Sequence, residues 1–119
     1  MEHSPEFLAI VQDAKSRVKE VSVKETFDRL KAGAQLIDVR EDNEWEAGHA
    51  KNALHLGRGV IERDIVKTIP NKDEEIILYC GGGFRSALSA DNLQKMGYTN
   101  VYSMDGGWKA WKDAGGEVE

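Results

Sequence analysis

The chain has 119 residues, of which 40% are hydrophobic and 31% charged, enough for one domain that buries a core without disulfides or metal. Its formal net charge of -5 argues against nucleic acid or an anionic membrane as the main partner. One cysteine excludes an internal disulfide, no apolar run has the length of a membrane span, and the acidic opening Met1–Glu6 lacks a signal-peptide core, so a cytoplasmic location is expected.

Ser4-Pro5-Glu6 has the form of a helix start, with Ser at the N-cap and Pro at the first helical position. Phe7, Val11, Ala14 and Val18 share one stripe, widened by Leu8 and Ile10, which predicts an amphipathic helix to about Lys19. The first 20 residues are thus expected to form a helix packed on a domain spanning 21–119. Glu20-Val21 is a short connector, at most one strand pair. Ser22-Val23-Lys24-Glu25 is a capping box, and Val23, Phe27 and Leu30 supply the buried face of a helix that Gly33 ends.

Leu36-Ile37-Asp38-Val39 is a buried strand that delivers Asp38 and Arg40 at its C-terminal end, where open α/β sheets place their ligands. Asn43 is the expected cap of a short helix carrying Glu44 and Trp45, closed by Gly48-His49. Ala53-Leu54-His55-Leu56 is a short strand, Gly57-Arg58-Gly59 a loop, and Val60, Ile61, Asp64 and Ile65 indicate a helix to about Thr68. Ile76 to Tyr79 is an apolar run of the kind buried on both faces. Cys80 ends it, three glycines and Arg85-Ser86 follow, and Ala87, Ala90 and Leu93 recur at helical spacing up to a Gly97-Tyr98 cap. Asn100–Met104 is the last strand. Asp105-Gly106-Gly107 turns into a final helix with Trp108 and Trp111, finishing near Gly115-Gly116. Strands alternating with helices call for an α/β fold, a mainly parallel sheet with helices on both faces.

The chemistry centres on the turn after the Ile76 strand. A lone cysteine is commonly a small buried hydrophobe, but a structural cysteine needs no triple glycine behind it, and glycines raise the entropy cost of folding. Gly81, Gly82 and Gly83 make sense if the backbone curls with its amides inward. With the helix dipole and Arg85 they would stabilise negative charge on the Cys80 sulfur, or on a group it carries, and Ser86 can bond into the loop. A nucleotide loop would need Lys-Ser or Lys-Thr where Phe84-Arg85-Ser86 stands. Gly57-x-Gly59 lacks the third glycine of a dinucleotide fingerprint. His3, His49 and His55 with one cysteine make no zinc-ligand spacing, and a dithiol motif lacks its second cysteine. No metal or cofactor is expected, and His49 and His55 are expected to be structural.

Four motifs then resemble the single-domain rhodaneses, the thiosulfate or persulfide sulfurtransferases. Leu36-Ile37-Asp38-Val39-Arg40 with Glu44-Trp45 and Gly48-His49 is similar to the family's first signature, and Ala53-Leu54-His55-Leu56 to the strand after it. Cys80-Gly81-Gly82-Gly83-Phe84-Arg85-Ser86 follows the active-site pattern Cys-x-x-Gly-x-Arg-Ser, and Gly106-Gly107-Trp108-Lys109-Ala110-Trp111 the closing Gly-Gly-x-x-x-Trp. The resemblance implies a parallel five-stranded sheet flanked by helices, to which the N-terminal helix is extra. It implies that Cys80 takes sulfane sulfur from a thiosulfate-like or persulfide donor as a persulfide and passes it to cyanide or a thiol, with a protein donor or acceptor also open. Gly81, Gly82, Gly83, Phe84, Arg85 and Ser86 map to the cradle, and Asp38 and Arg40 to positions that brace it. Arg58 is added on charge and placement as a residue that could draw an anionic donor. Ala50 replaces the usual Ile after Gly-His, which is expected to thin local packing.

Two alternatives stay open. Related folds with a Cys-x5-Arg loop are phosphatases or arsenate reductases; here only four residues separate Cys80 from Arg85, a smaller bowl that suits one sulfur atom better than a tetrahedral phosphate. A persulfide carrier or docking module for a partner protein is the non-catalytic alternative.

Overall fold

The computed structural model describes residues 3–119; Met1 and Glu2, part of the acidic opening, lie outside the described residues. Helix α1 (Pro5–Lys15) is followed by β1 (Lys19–Val21), α2 (Val23–Lys31), β2 (Gln35–Asp38), α3 (Asp42–Ala47) and β3 (Leu54–His55). Helix α4 (Ile61–Thr68), β4 (Ile76–Tyr79), α5 (Phe84–Lys95), β5 (Val101–Met104) and α6 (Gly107–Asp113) complete the chain. The five strands form one sheet in the order β1-β5-β4-β2-β3, every pair parallel. The α/β architecture expected from the alternation is therefore present.

Side-chain alternation divides the core. Ile76, Leu78 and Cys80 point with Ile37 and Val39 toward Ile61, Ile65, Ala90 and Leu93 of α4 and α5. Ile77 and Tyr79 point the other way with Leu36 and Met104, toward Trp111 and the half-buried Val23, Phe27 and Leu30 of α2 and α6. A strand covered on both faces needs a continuous apolar run, and all four residues of β4 are buried. The chain runs from β2 outward to β3, then back past β2 to β4. The sheet's switch point thus lies between β2 and β4, and both Asp38 and Cys80 stand at its carboxyl edge.

Several local expectations need correction. Helix α1 stops at Lys15 rather than Lys19, because Ser16 turns its hydroxyl and its N–H onto the Asp13 carbonyl. Val18 is buried, but in the main core beyond the helix. Lys19–Val21 is a full edge strand paired with Tyr102–Met104. Leu8 and Ile10 do not widen the buried stripe; they are exposed, and Val11 and Ala14 pack on Leu88 of α5 with Phe7 and Phe84. The residue at the N-cap of α3 is Glu41, not Asn43: Glu41 is extended and its N–H donates to the Glu44 carboxylate, which leaves Asn43 inside the first turn. Ala50 is fully buried, because residues 117–119 fold back and bond His49 and Lys51. At the end of α5, Tyr98 N–H reaches the Leu93 carbonyl and Gly97 N–H that of Gln94, with Gly97 at φ +99, the expected Schellman cap. Among the described residues, no helix is long and apolar enough to cross a membrane.

Candidate active site

Cys80 leaves β4 with its side chain on the α5 side of the sheet and only 1% of its surface exposed. The next residues reverse the chain so that α5 starts directly above the sulfur. Gly83 makes this possible as the N-cap residue of α5 at φ +102, where a side chain would be strained. Two backbone amides then converge on Cys80 Sγ, Gly83 N–H from 3.1 Å and Ser86 N–H from 3.4 Å. These are free donors of the helix's first turn, and the dipole of the 12-residue α5 adds to them. Gly81 serves differently: a Cβ there would lie 3.0 Å from Arg85 Nη2, so its bareness lets the guanidinium fold over the loop.

The sulfur also rests on a hydroxyl pair. Ser86 Oγ is 3.6 Å from Cys80 Sγ and 2.8 Å from Ser103 Oγ, all three groups buried. Sequence reasoning missed Ser103; the available signal was a serine at an inward position of the apolar strand Val101–Met104.

Arg85 does not stand alone at the loop. Its Nη1 donates to Glu44 Oε1 at 2.6 Å and its Nη2 to Glu44 Oε2 at 3.2 Å, a two-point pair between the loop and α3. The Arg85 hydrogen bond holds the Glu44 carboxyl below its usual range against the opposing effect of burial, and Glu44, with a contribution from Cys80, raises Arg85. Glu44 Oε1 also accepts Glu41 N–H at 3.1 Å, which fixes its rotamer. Trp45 stacks on His49 at 3.4 Å between ring centroids and on His55 at 4.8 Å. His49 Nδ1 faces the Trp45 carbonyl and His55 Nε2 the Arg40 carbonyl, so each of these nitrogens carries a hydrogen. Both histidines thus hold α3 in place, the structural role expected of them.

Behind the loop lies a buried ion pair. Arg40 donates through its backbone N–H, Nε and Nη2 to Asp38 at 2.8 to 3.1 Å and through Nη2 to the Gly48 carbonyl at 2.7 Å. Tyr79 donates its hydroxyl to Asp38 Oδ2 at 2.6 Å and accepts Ala50 N–H. Burial opposes the Arg40 charge, but the Asp38 hydrogen bonds outweigh it and raise Arg40. The guanidinium lies 4.6 Å from the Trp108 ring centroid, which links the pair to α6. Each charge is satisfied, as burial requires. Asp38 and Arg40 therefore tie β2, β4 and the 48–50 segment together behind the Cys80 turn and do not face the sulfur.

Residues 22–114 match the rhodanese-like domain. The chain belongs to the rhodanese-like family. A protein of Bacillus subtilis, the uncharacterized YqhL, is 37% identical over 97 residues, covering 79% of this chain and 73% of that one. Among solved structures, the polysulfide-sulfur transferase homodimer of Wolinella succinogenes superposes with a TM-score of 0.82 at 28% identity, over 95% of this chain and 86% of that one. A protein of unknown function from Rhodopseudomonas palustris, described as a possible tyrosine phosphatase, gives 0.83 at 28% identity, over 100% of this chain and 99% of that one.

Within this rhodanese-like domain, no hydrogen bond among the described residues links the remaining expected site residues to the sulfur. Arg58 bonds the Val39 carbonyl through its backbone N–H, but among the described residues its side chain has no hydrogen bond or ion pair. Phe84 turns its ring away toward α1, where Phe7, His3 and Lys15 surround it. Gly82 has open space around it. Among the described residues no three His, Cys, Asp or Glu side chains converge on a metal position.

Proposed function

We propose that this protein is a sulfurtransferase that carries sulfane sulfur on Cys80. The observation that supports this most directly is the pair of amides from Gly83 and Ser86 aimed at a sulfur that ends a central strand. Such donors stabilise negative charge on the sulfur before reaction and on an attached persulfide after it. The thiolate attacks the outer sulfur of the donor; a sulfur–sulfur bond forms at Cys80 while the donor's own bond breaks. The electron pair leaves on sulfite when thiosulfate is the donor, or on a thiolate when a persulfide is. In the second half, cyanide or a thiolate takes the terminal sulfur and the electron pair returns to Cys80. No general base is needed, since the loop itself stabilises the attacking anion. A lone, unpaired thiol suits a reducing, cytoplasmic setting.

A phosphatase reading is disfavoured by Arg85. A phosphoryl group needs the guanidinium fork for its equatorial oxygens, and here Glu44 already occupies the fork. The test is to incubate the protein with thiosulfate or cysteine persulfide and weigh it intact. Gain of one sulfur atom by the wild type and none by Cys80→Ser is expected. An adduct that persists in Cys80→Ser, or hydrolysis of an aryl phosphate without sulfur uptake, overturns the proposal.

A further inference from the structure

If Cys80 is the sulfur carrier, the Glu44–Arg85 pair bears on which donor the site accepts. Arg85 is the cation folded over the loop, its Nη2 against Gly81. Two other cations near this end of the sheet are committed elsewhere, while Arg58, in the loop after β3, makes no side-chain ion pair among the described residues. Arg40 is 3% exposed and bound to Asp38, and Lys15 pairs with Glu20 while lying over the Phe84 ring. Glu44 cancels the charge of Arg85 and takes two of its donors, one at 2.6 Å. It is not a loose surface partner: the Glu41 N–H fixes its carboxylate, and the stacking of Trp45 with His49 and His55 holds the helix it stands on.

We propose that Glu44 is a specificity-determining residue that discriminates against dianionic sulfur donors relative to low-charge persulfides. Loading from thiosulfate brings a dianion up to a thiolate. With Glu44 ionised, several negative charges then share one guanidinium that is already paired. Loading from a protonated persulfide, R–S–SH, adds no charge at the reacting sulfurs: Cys80–S⁻ and R–S–SH become Cys80–S–SH and R–S⁻, one anion on either side. The cradle is balanced for the second reaction and overloaded with negative charge in the first. The hydrogen bond from Arg85 keeps Glu44 ionised throughout the neutral range.

The experiment measures Cys80 persulfide formation by intact mass over time, with thiosulfate and with cysteine persulfide, in the wild type, Glu44→Gln and Glu44→Asp. The ratio of thiosulfate to persulfide kcat/KM is expected to rise about tenfold or more in Glu44→Gln, which keeps the shape and removes the charge. In Glu44→Asp, which keeps the charge, the ratio is expected to stay within about threefold of wild type. A merely structural role for Glu44 would slow both donors alike in both variants and leave the ratio unmoved, and that result overturns the inference while leaving the sulfurtransferase reading intact. Failure of the wild type to take sulfur from either donor overturns both.

Discussion

Trp108 donates its backbone N–H to the Cys80 carbonyl across 2.7 Å, so the turn into α6 is bolted to the residue that carries the thiol. The approach is close because Gly107 precedes it. A Cβ on Gly107 would lie 2.4 Å from the Cys80 carbonyl oxygen and 2.7 Å from the Gly81 carbonyl group, all backbone atoms that cannot step aside, and its φ is +54. Gly107→Ala is therefore expected to cost about 2–4 kcal/mol, the sum of overpacking and left-handed strain, and to lower sulfur loading because the Cys80 peptide must shift. Gly82→Ala meets open space at negative φ and is expected to stay within ~0.5 kcal/mol of wild-type stability. Urea unfolding of the two variants checks the contrast; equal stabilities would refute it.

Tyr79 is fully buried with its hydroxyl on Asp38. Burial and that hydrogen bond push its ionisation well above the ordinary tyrosine range. Because the folded value lies above the unfolded one, the unfolded chain loses its proton first as pH rises past about 10, and stability falls from there at up to about 1.4 kcal/mol per pH unit. Tyr98, also raised by burial, contributes in the same direction. Tyr79→Phe is expected to lose about 1–3 kcal/mol at neutral pH, since Asp38 and Ala50 N–H each lose a partner, and to show a shallower alkaline decline than wild type. Unfolding curves at pH 8 through 11 give both quantities. An unchanged alkaline slope would show that Tyr79 ionises equally in both states.

The sequence made much of this site legible and hid a definite part of it. Cys80, its glycines and the strand before it were readable because the chemistry is local: chain reversal demands Gly83, and α5 begins where the loop ends. The capping box of α2 and the Schellman cap of α5 were readable for the same reason. What escaped was contact between distant segments. Glu44 stands 41 residues from Arg85 and Ser103 17 from Ser86; Glu44 was legible as part of the first signature but not as the partner of Arg85, and Ser103 had no local signal beyond its polarity. The apolar period runs on to Val18, past the end of α1 at Lys15, because Val18 is buried on the path to β1. Arg58 was expected at the site from its charge and its place in the loop after β3, and neither fixes where a long side chain goes.

Ser103 and Ser86 share a buried hydroxyl contact beneath the sulfur, and removing the Ser103 hydroxyl leaves Ser86 Oγ only its longer contact with Cys80 Sγ. Ser103→Ala is expected to cost about 1–2 kcal/mol. It also frees Ser86 Oγ to rotate, so sulfur loading at Cys80 is expected to fall about three- to tenfold, the loss of one moderately strong oriented contact. Thermal unfolding and intact-mass time courses measure the two effects separately. Lost stability with wild-type loading would confine the pair to packing.

Asp91 of α5, only 8% exposed, accepts Arg17 Nε at 3.0 Å and Nη2 at 2.8 Å, with Lys95 at 3.5 Å, and Arg17, two residues past the end of α1, also bonds Asp13 of that helix, so the pair anchors α1 to α5. The Arg17 hydrogen bonds hold its carboxyl below the usual range, against burial. A depressed carboxylate stabilises the folded state above its unfolded pKa of about 3.9 and loses that contribution as pH falls through the lower folded value. The anchoring of α1 is therefore intact at neutral pH and fails only in acid. Since Phe7 of α1 packs against Phe84 in the cysteine loop, loosening α1 also frees one wall of that loop. Asp91→Asn is expected to show at neutral pH the weakened α1 that the wild type shows only below about pH 4. Hydrogen-exchange protection factors at Val11 and Ala14, compared with those in β4, report this. Full protection of α1 in Asp91→Asn would mean that the apolar contacts with Leu88 hold the helix without the ion pair.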